Sequence, residues 1–93
     1  IILKTDSNGK ELWQTIIGTA DKFDVGYAVD ELSDGYVASG GLHKDGYQKS
    51  AIVKLDINGN IIWQKIFNHS GVGGIRGIEV LNNDDIVVTG YKE

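Results

Sequence analysis

The sequence predicts an all-β protein assembled from repeated four-stranded units. Three observations lead there. Lys54-Leu-Asp-Ile-Asn-Gly-Asn-Ile-Ile-Trp-Gln64 restates, fifty positions on, Lys4-Thr-Asp-Ser-Asn-Gly-Lys-Glu-Leu-Trp-Gln14: Lys, Asp, Asn, Gly, Trp and Gln return at the same offsets. Thirteen glycines and no prolines break the chain into short apolar runs, the punctuation of strands and tight turns. No window carries a sustained helical period with caps.

Taken in order, Ile1 to Asp6 reads as a strand and Ser7-Asn8-Gly9 as a turn, because Asn and Gly tolerate the positive φ of hairpin turns. Lys10 to Ile17 is the return strand. Glu11, Trp13, Thr15 and Ile17 share one face, and Leu12, Gln14 and Ile16 the other. Apolar groups on both faces predict that both are covered, whereas a surface sheet alternates apolar with polar. A polar connection, Gly18 to Asp24, leads to a strand from Gly26 to Leu32. The turn Ser33-Asp34-Gly35 and a strand from Tyr36 to Leu42 follow. Ala38, Ser39, Gly40 and Gly41 suit a place where backbones approach closely. His43 to Gln48 is expected as a loop, Lys49 to Asp56 as a strand, Asn58-Gly59 as a turn and Asn60 to Phe67 as the Trp63 strand. The Gly-rich stretch Asn68 to Gly74 reads as a loop. The strand Ile75 to Leu81, the turn Asn82-Asn83-Asp84 and the strand Asp85 to Tyr91 complete the chain. Gly77, Val87 and Gly90 answer Gly26, Val37 and Gly40.

The 93 residues form one unit, residues 1–93, with repeat 1 at about 1–50 and repeat 2 at about 51–93 and no linker between them. Four short strands per repeat, apolar on both faces, with one tryptophan each, describe β-propeller blades. A blade buries its faces only against neighbouring blades. Ordered from the centre outward, the strands of a full blade are Gly26–Leu32, Tyr36–Leu42, Lys49–Asp56 and Asn60–Phe67. The chain is therefore split: an outer pair of strands, one full blade, then an inner pair.

The Asp56, Gly59 and Trp63 segment resembles the tryptophan-docking segment of quinoprotein-type propeller repeats, and Asp6, Gly9 and Trp13 take the same relative places. Tyr36-Val-Ala-Ser-Gly40-Gly41 resembles the aromatic-then-double-glycine strand of kelch repeats, from which Gly90-Tyr91 departs. Repeats of this look occur in large secreted bacterial proteins. The resemblance spans the chain and implies a propeller fold; it does not imply an activity.

Composition narrows the partners. The formal net charge is -4 and the nine Lys and Arg residues are scattered, so the clustered basic footprint of a nucleic-acid binder is missing. No apolar run approaches the roughly 20 residues of a membrane-spanning helix. The absence of cysteine rules out disulfides, thiolate zinc sites and cysteine nucleophiles, and is compatible with export to an extracellular or periplasmic setting. With no methionine and a first residue of Ile1, a processed chain or a piece of a longer one is expected.

Each candidate site has a structural competitor. Asp6, Asn8 and Gly9, and Asp56, Asn58 and Gly59, cluster oxygen donors somewhat like a calcium loop. The spacing is short and lacks the closing Glu, so hairpin turns with Asp accepting backbone N–H groups are the better reading. Trp13 and Trp63 could stack on a sugar, but mid-strand positions among apolar neighbours favour inter-blade packing, with Gly26, Gly77, Gly40 and Gly90 allowing close approach. His43 and His69 are expected in loops, without ligand-spaced partners. Asn68-His69-Ser70 matches a glycosylation acceptor. Arg76, the single arginine, precedes an inner strand near the expected channel. It is the best candidate to meet an anionic or sugar ligand, against the plainer alternative of an ion pair.

No catalytic residues, metal ligands or cofactor-binding residues stand out. The expected function is a non-catalytic scaffold or binding module for a protein or glycan. The alternatives are part of a propeller enzyme, quinoprotein or glycan-active, and a purely structural self-assembling fragment. Because closure takes typically about 4–8 blades, the expected partners are other blades: those of a longer chain, or further copies in a homo-oligomeric ring of about three or four chains closing about six or eight blades.

Overall fold

The computed structural model describes residues 1–17, 25–44, 47–67 and 72–92. All regular elements among them are strands: β1 (Ile2–Thr5), β2 (Glu11–Thr15), β3 (Val25–Leu32), β4 (Gly35–Lys44), β5 (Tyr47–Asp56), β6 (Ile61–Phe67), β7 (Val72–Val80) and β8 (Ile86–Lys92). Among the described residues no helix is long and apolar enough to cross a membrane. The strands pair antiparallel in three sheets: β1-β2, β3-β4-β5-β6 and β7-β8.

Turn chemistry sets these hairpins. In the first, Gly9 N donates to Asp6 O at 3.1 Å and Asp6 N to Lys10 O at 2.9 Å, with Gly9 at φ 86°. The third residue of a three-residue hairpin loop needs a left-handed backbone, which glycine adopts without steric cost. Gly59 repeats this at φ 86° between Asp56 and Asn60, with the same two bond lengths. The turn Leu81–Asp85 has the same bonding, but Asp84 occupies the left-handed position at φ 66°. The repeat extends to irregularities. Lys4 faces Trp13 and Thr5 faces Glu11, leaving Leu12 as an extra bulged residue; Lys54 faces Trp63 and Leu55 faces Ile61, leaving Ile62 bulged fifty positions on.

The middle sheet is covered on both sides. On one, Ala38, Val53 and Leu55 pack with Tyr36 against Ile2, Trp13 and Ile17. On the other, Leu32, Val37 and Ile52 pack with Phe67 against Ile75, Ile78, Val80, Ile86 and Val88. Adjacent residues of a strand point to opposite faces, so Val37 and Ala38, like Ile52 and Val53, serve different layers and are all buried. Val37 and Leu55 are fully enclosed, each stabilising the stack by roughly 1.5–3 kcal/mol.

Four expectations about strands and sheet faces need correction. β4 and β5 form one long hairpin in which His43 pairs with Gln48 and Lys44 with Tyr47, so His43 to Gln48 is not a loop; only 45–46 lie outside the described residues. β7 begins at Val72, which pairs with Lys92, inside the stretch expected as a Gly-rich loop. Gly26 lies opposite Gly40, whereas Gly77 lies opposite Thr89 and Ile75 opposite Gly90. The position answering Gly26 is therefore Ile75, because the turn from β7 to β8 is one residue longer than the turn from β3 to β4: Val80 pairs with Ile86 where Glu31 pairs with Tyr36. Finally, the outward face of β1-β2 is open: Leu12 and Ile16 are 54% and 67% exposed, since no sheet among the described residues lies beyond it.

Candidate functional site

The contacts that join the three sheets are the most specific chemistry in the molecule. On the β1-β2 side they centre on Trp13. Its indole Nε1 donates to Ile57 O at 3.2 Å, and Thr15 Oγ1 donates to Gly59 O. The ring lies on the glycine itself: a Cβ at Gly59 would stand 2.6 Å from two ring carbons of Trp13. Glycine is thus required there twice, for its φ and for close approach. Tyr36 packs near the same ring, with ring centroids 5.8 Å apart and planes tilted by 59°. Lys4 Nζ in turn stands 5.3 Å from the Tyr36 ring centre, within cation–π range.

The turn that receives Trp13 is rigid for a local reason. Asp56 Oδ1 accepts the N–H groups of Asn58 at 2.8 Å and Asn60 at 2.9 Å, and Oδ2 accepts Asn60 Nδ2 at 3.1 Å. Donation from the backbone and then the side chain of Asn60 holds the Asp56 carboxyl below the usual carboxylate range. The Asp6 carboxylate accepts two backbone N–H groups in its own turn, from Asn8 at 2.8 Å and Lys10 at 3.0 Å. Both carboxylates are spent on backbone donors.

On the β7-β8 side the contacts are polar at the rim. Asp30 Oδ2 accepts Val80 N at 2.8 Å, and Oδ1 accepts Glu31 N at 2.8 Å. The Val80 bond, then the Glu31 bond, lowers the Asp30 pKa. Ser33 donates to Asp84 twice, from its hydroxyl to Oδ2 and from its N–H to Oδ1. These bonds, the hydroxyl first, lower the Asp84 pKa, and the charge of Lys54 adds to them. Deeper in, Ser39 Oγ donates to Ile75 O at 3.4 Å.

Comparison of the chain with protein-family models, with curated proteins and with solved structures finds no match.

The candidate residues divide accordingly. Trp13, Asp56, Asn58 and Gly59 come together at one junction. Asp6, Asn8, Gly9 and Trp63, their counterparts fifty positions away, do not: Trp63 is 39% exposed and a Cβ at Gly9 would meet nothing within 4 Å. Trp63 is therefore not buried within this chain, contrary to the expectation from its apolar neighbours. Arg76 is exposed on β7 and takes part in an interaction of its own. Gly40 sits between Gly26 and Ala51, and Gly90 opposite Ile75. Asn68, His69 and Ser70 lie outside the described residues. Among the described residues no group of three or more His, Asp or Glu is placed to hold a metal ion. Sequence reading misses Asp30, Ser33, Asp84 and Thr15. The sequence carries no local signal for them, because their partners are about fifty residues away.

Proposed function

We propose that this chain is a non-catalytic scaffold unit of a β-propeller, whose blades stack face to face and whose loop-bearing ends bind a protein or a glycan. The observation that carries the reading is the docking of Trp13 on the Asp56–Gly59 turn. It is a sheet-on-sheet contact built from residues that recur at the repeat period, which is how stacked blades bury faces that a lone blade leaves open. An extracellular or periplasmic setting suits a cysteine-free repeat of this kind. Electron micrographs of the assembled protein test the architecture: discs with a central opening are expected, and solid globules or open fibres would sink it. A glycan array with an absorbance scan tests the task. Saturable binding without turnover is expected; sugar release or a bound-quinone spectrum would favour an enzyme.

A further inference from the structure

We infer that this chain carries a docking surface for a second copy of itself, in which Trp63 of one copy seats on the Ser7–Gly9 turn of the other. The inference rests on the blade reading and names its contact residue by residue. The template is the Trp13 junction within the chain. The two tryptophans and the two turns each stand fifty positions apart. One pair is joined. The other is not: Gly9 holds the same φ of 86° as Gly59, with open space where its Cβ would point, and Trp63 is 39% exposed.

The surrounding residues follow the same shift. Around Trp13 stand Ile17, Tyr36, Ala38 and Val53. Around Trp63 the shifted positions are Phe67, Ile86 and Val88, with Leu3 supplied by the second copy. Phe67, Ile86 and Val88 already pack against one buried cluster, that of Leu32, Val37, Ile52 and Ile75. Leu3, 52% exposed in the single chain, answers Val53, which is 3% exposed. Trp63 and Phe67 are four residues apart on β6, with no bulge between them, so both face this side. The surface is thus the continuation of an interface the chain already makes.

The sheet edges agree. β8 and β1 each have one hydrogen-bonded neighbour in this chain, and an open edge recruits another strand. Moving the β4-β5 register of Tyr36–Gly40 by fifty positions pairs Ile86 with the second copy's Thr5, Val87 with Lys4, Val88 with Leu3, Thr89 with Ile2 and Gly90 with Ile1. Two features do not carry over. A Cβ at Gly35 would stand 2.0 Å from Leu55 O, and Asp85 occupies the shifted position, so pairing stops at Ile86. Lys65 stands where Thr15 does, so the hydroxyl bond to the turn has no counterpart. The backbone carbonyl of Ser7 still replaces that of Ile57 as acceptor for the indole.

The test is light scattering over a dilution series of the full chain, with circular dichroism and urea unfolding as controls for folding. The variants are Gly9→Asn and Trp63→Ala. Asn tolerates the left-handed backbone and meets open space in the single chain, but its side chain enters the seat of the second copy's Trp63. The wild type is expected at a multiple of 10.1 kDa. Both variants are expected to return to the single-chain mass while keeping a β-sheet spectrum. A folded wild type at the single-chain mass, or assembly unchanged in both variants, would overturn the docking surface and leave the blade reading standing. A helical or non-cooperative wild type would overturn both.

Discussion

Trp13 and Gly59 are in direct contact: the indole lies where a Cβ of residue 59 would be, 2.6 Å from that point, and donates to the carbonyl of Ile57 at 3.2 Å. The contact joins residues more than forty positions apart and fixes β2 on the turn between β5 and β6. It makes the two tryptophans, alike in sequence, unequal in energy.

Trp13→Ala is expected to destabilise the single folded chain by about 3 kcal/mol, the low end for aromatic truncations, since the ring is only partly buried. Trp63→Ala, at 39% exposure, is expected to change it by less than about 1 kcal/mol. Urea unfolding at low protein concentration measures both. Equal losses would mean that Trp63 is packed within one chain.

Gly59→Ala and Gly9→Ala separate backbone strain from contact. Both positions hold φ 86°, so each substitution costs about 1–2 kcal/mol for the left-handed backbone. Only Gly59 adds a collision with Trp13, worth about 1–3 kcal/mol more. The difference between their urea midpoints is the readout. If Gly9→Ala is as damaging as Gly59→Ala at low concentration, the Trp13 seat is misplaced.

The pH dependence follows from Asp30, Asp56 and Asp84, all held below their ordinary pKa of 3.8 in the folded chain. The first cause is the Val80 N–H for Asp30, the Asn60 N–H for Asp56 and the Ser33 hydroxyl for Asp84. Lowered carboxyl values contribute stability that is complete above the unfolded value, near pH 4, and is lost as pH falls through the folded values. Urea midpoints are therefore expected to hold steady from about pH 7 to pH 5 and to fall below about pH 4. Because Asp30 and Asp84 both bridge β3 and its turn to β7-β8, Asp30→Asn with Asp84→Asn should flatten the acid limb. An unchanged limb in that double variant would show that these bridges do not govern acid unfolding.

Calcium should leave the melting temperature unchanged, since Asp6 and Asp56 direct their carboxylates at their own turns. Asp56→Ala is expected to lower Tm by the same amount with and without calcium, because it removes acceptors for Asn58 and Asn60. A calcium-dependent rise in Tm that Asp56→Ala abolishes would identify a cation site instead.

Strand positions are legible where turn chemistry is local. Asn8-Gly9 and Asn58-Gly59 announce their hairpins, and the Lys, Asp and Trp spacing announces the repeat. The failures have one physical origin, which is that long-range pairing outweighs local composition. Gly73 and Gly74 look like loop residues, yet the ladder from Val72 to Lys92 makes that stretch part of a strand. His43 and Gln48 look like a loop until they are set opposite one another. Asp30 and Ser33 gain their roles only when β7 and its turn arrive beside them. Trp63 is legible as a packing residue by analogy with Trp13, but its exposure depends on which sheet stands next to it, and no strand of one repeat specifies that.

The most direct measurement is hydrogen exchange of the two indole N–H groups, followed by NMR across a dilution series, with Trp13→Phe assigning the signals. The Trp13 indole is expected to be protected at every concentration at which the chain is folded, through its bond to Ile57 O. The Trp63 indole should exchange freely in the single chain and become protected only as copies assemble. Protection of Trp63 in the dilute single chain, or free exchange of Trp13 in the folded state, would rule out one seated and one open tryptophan.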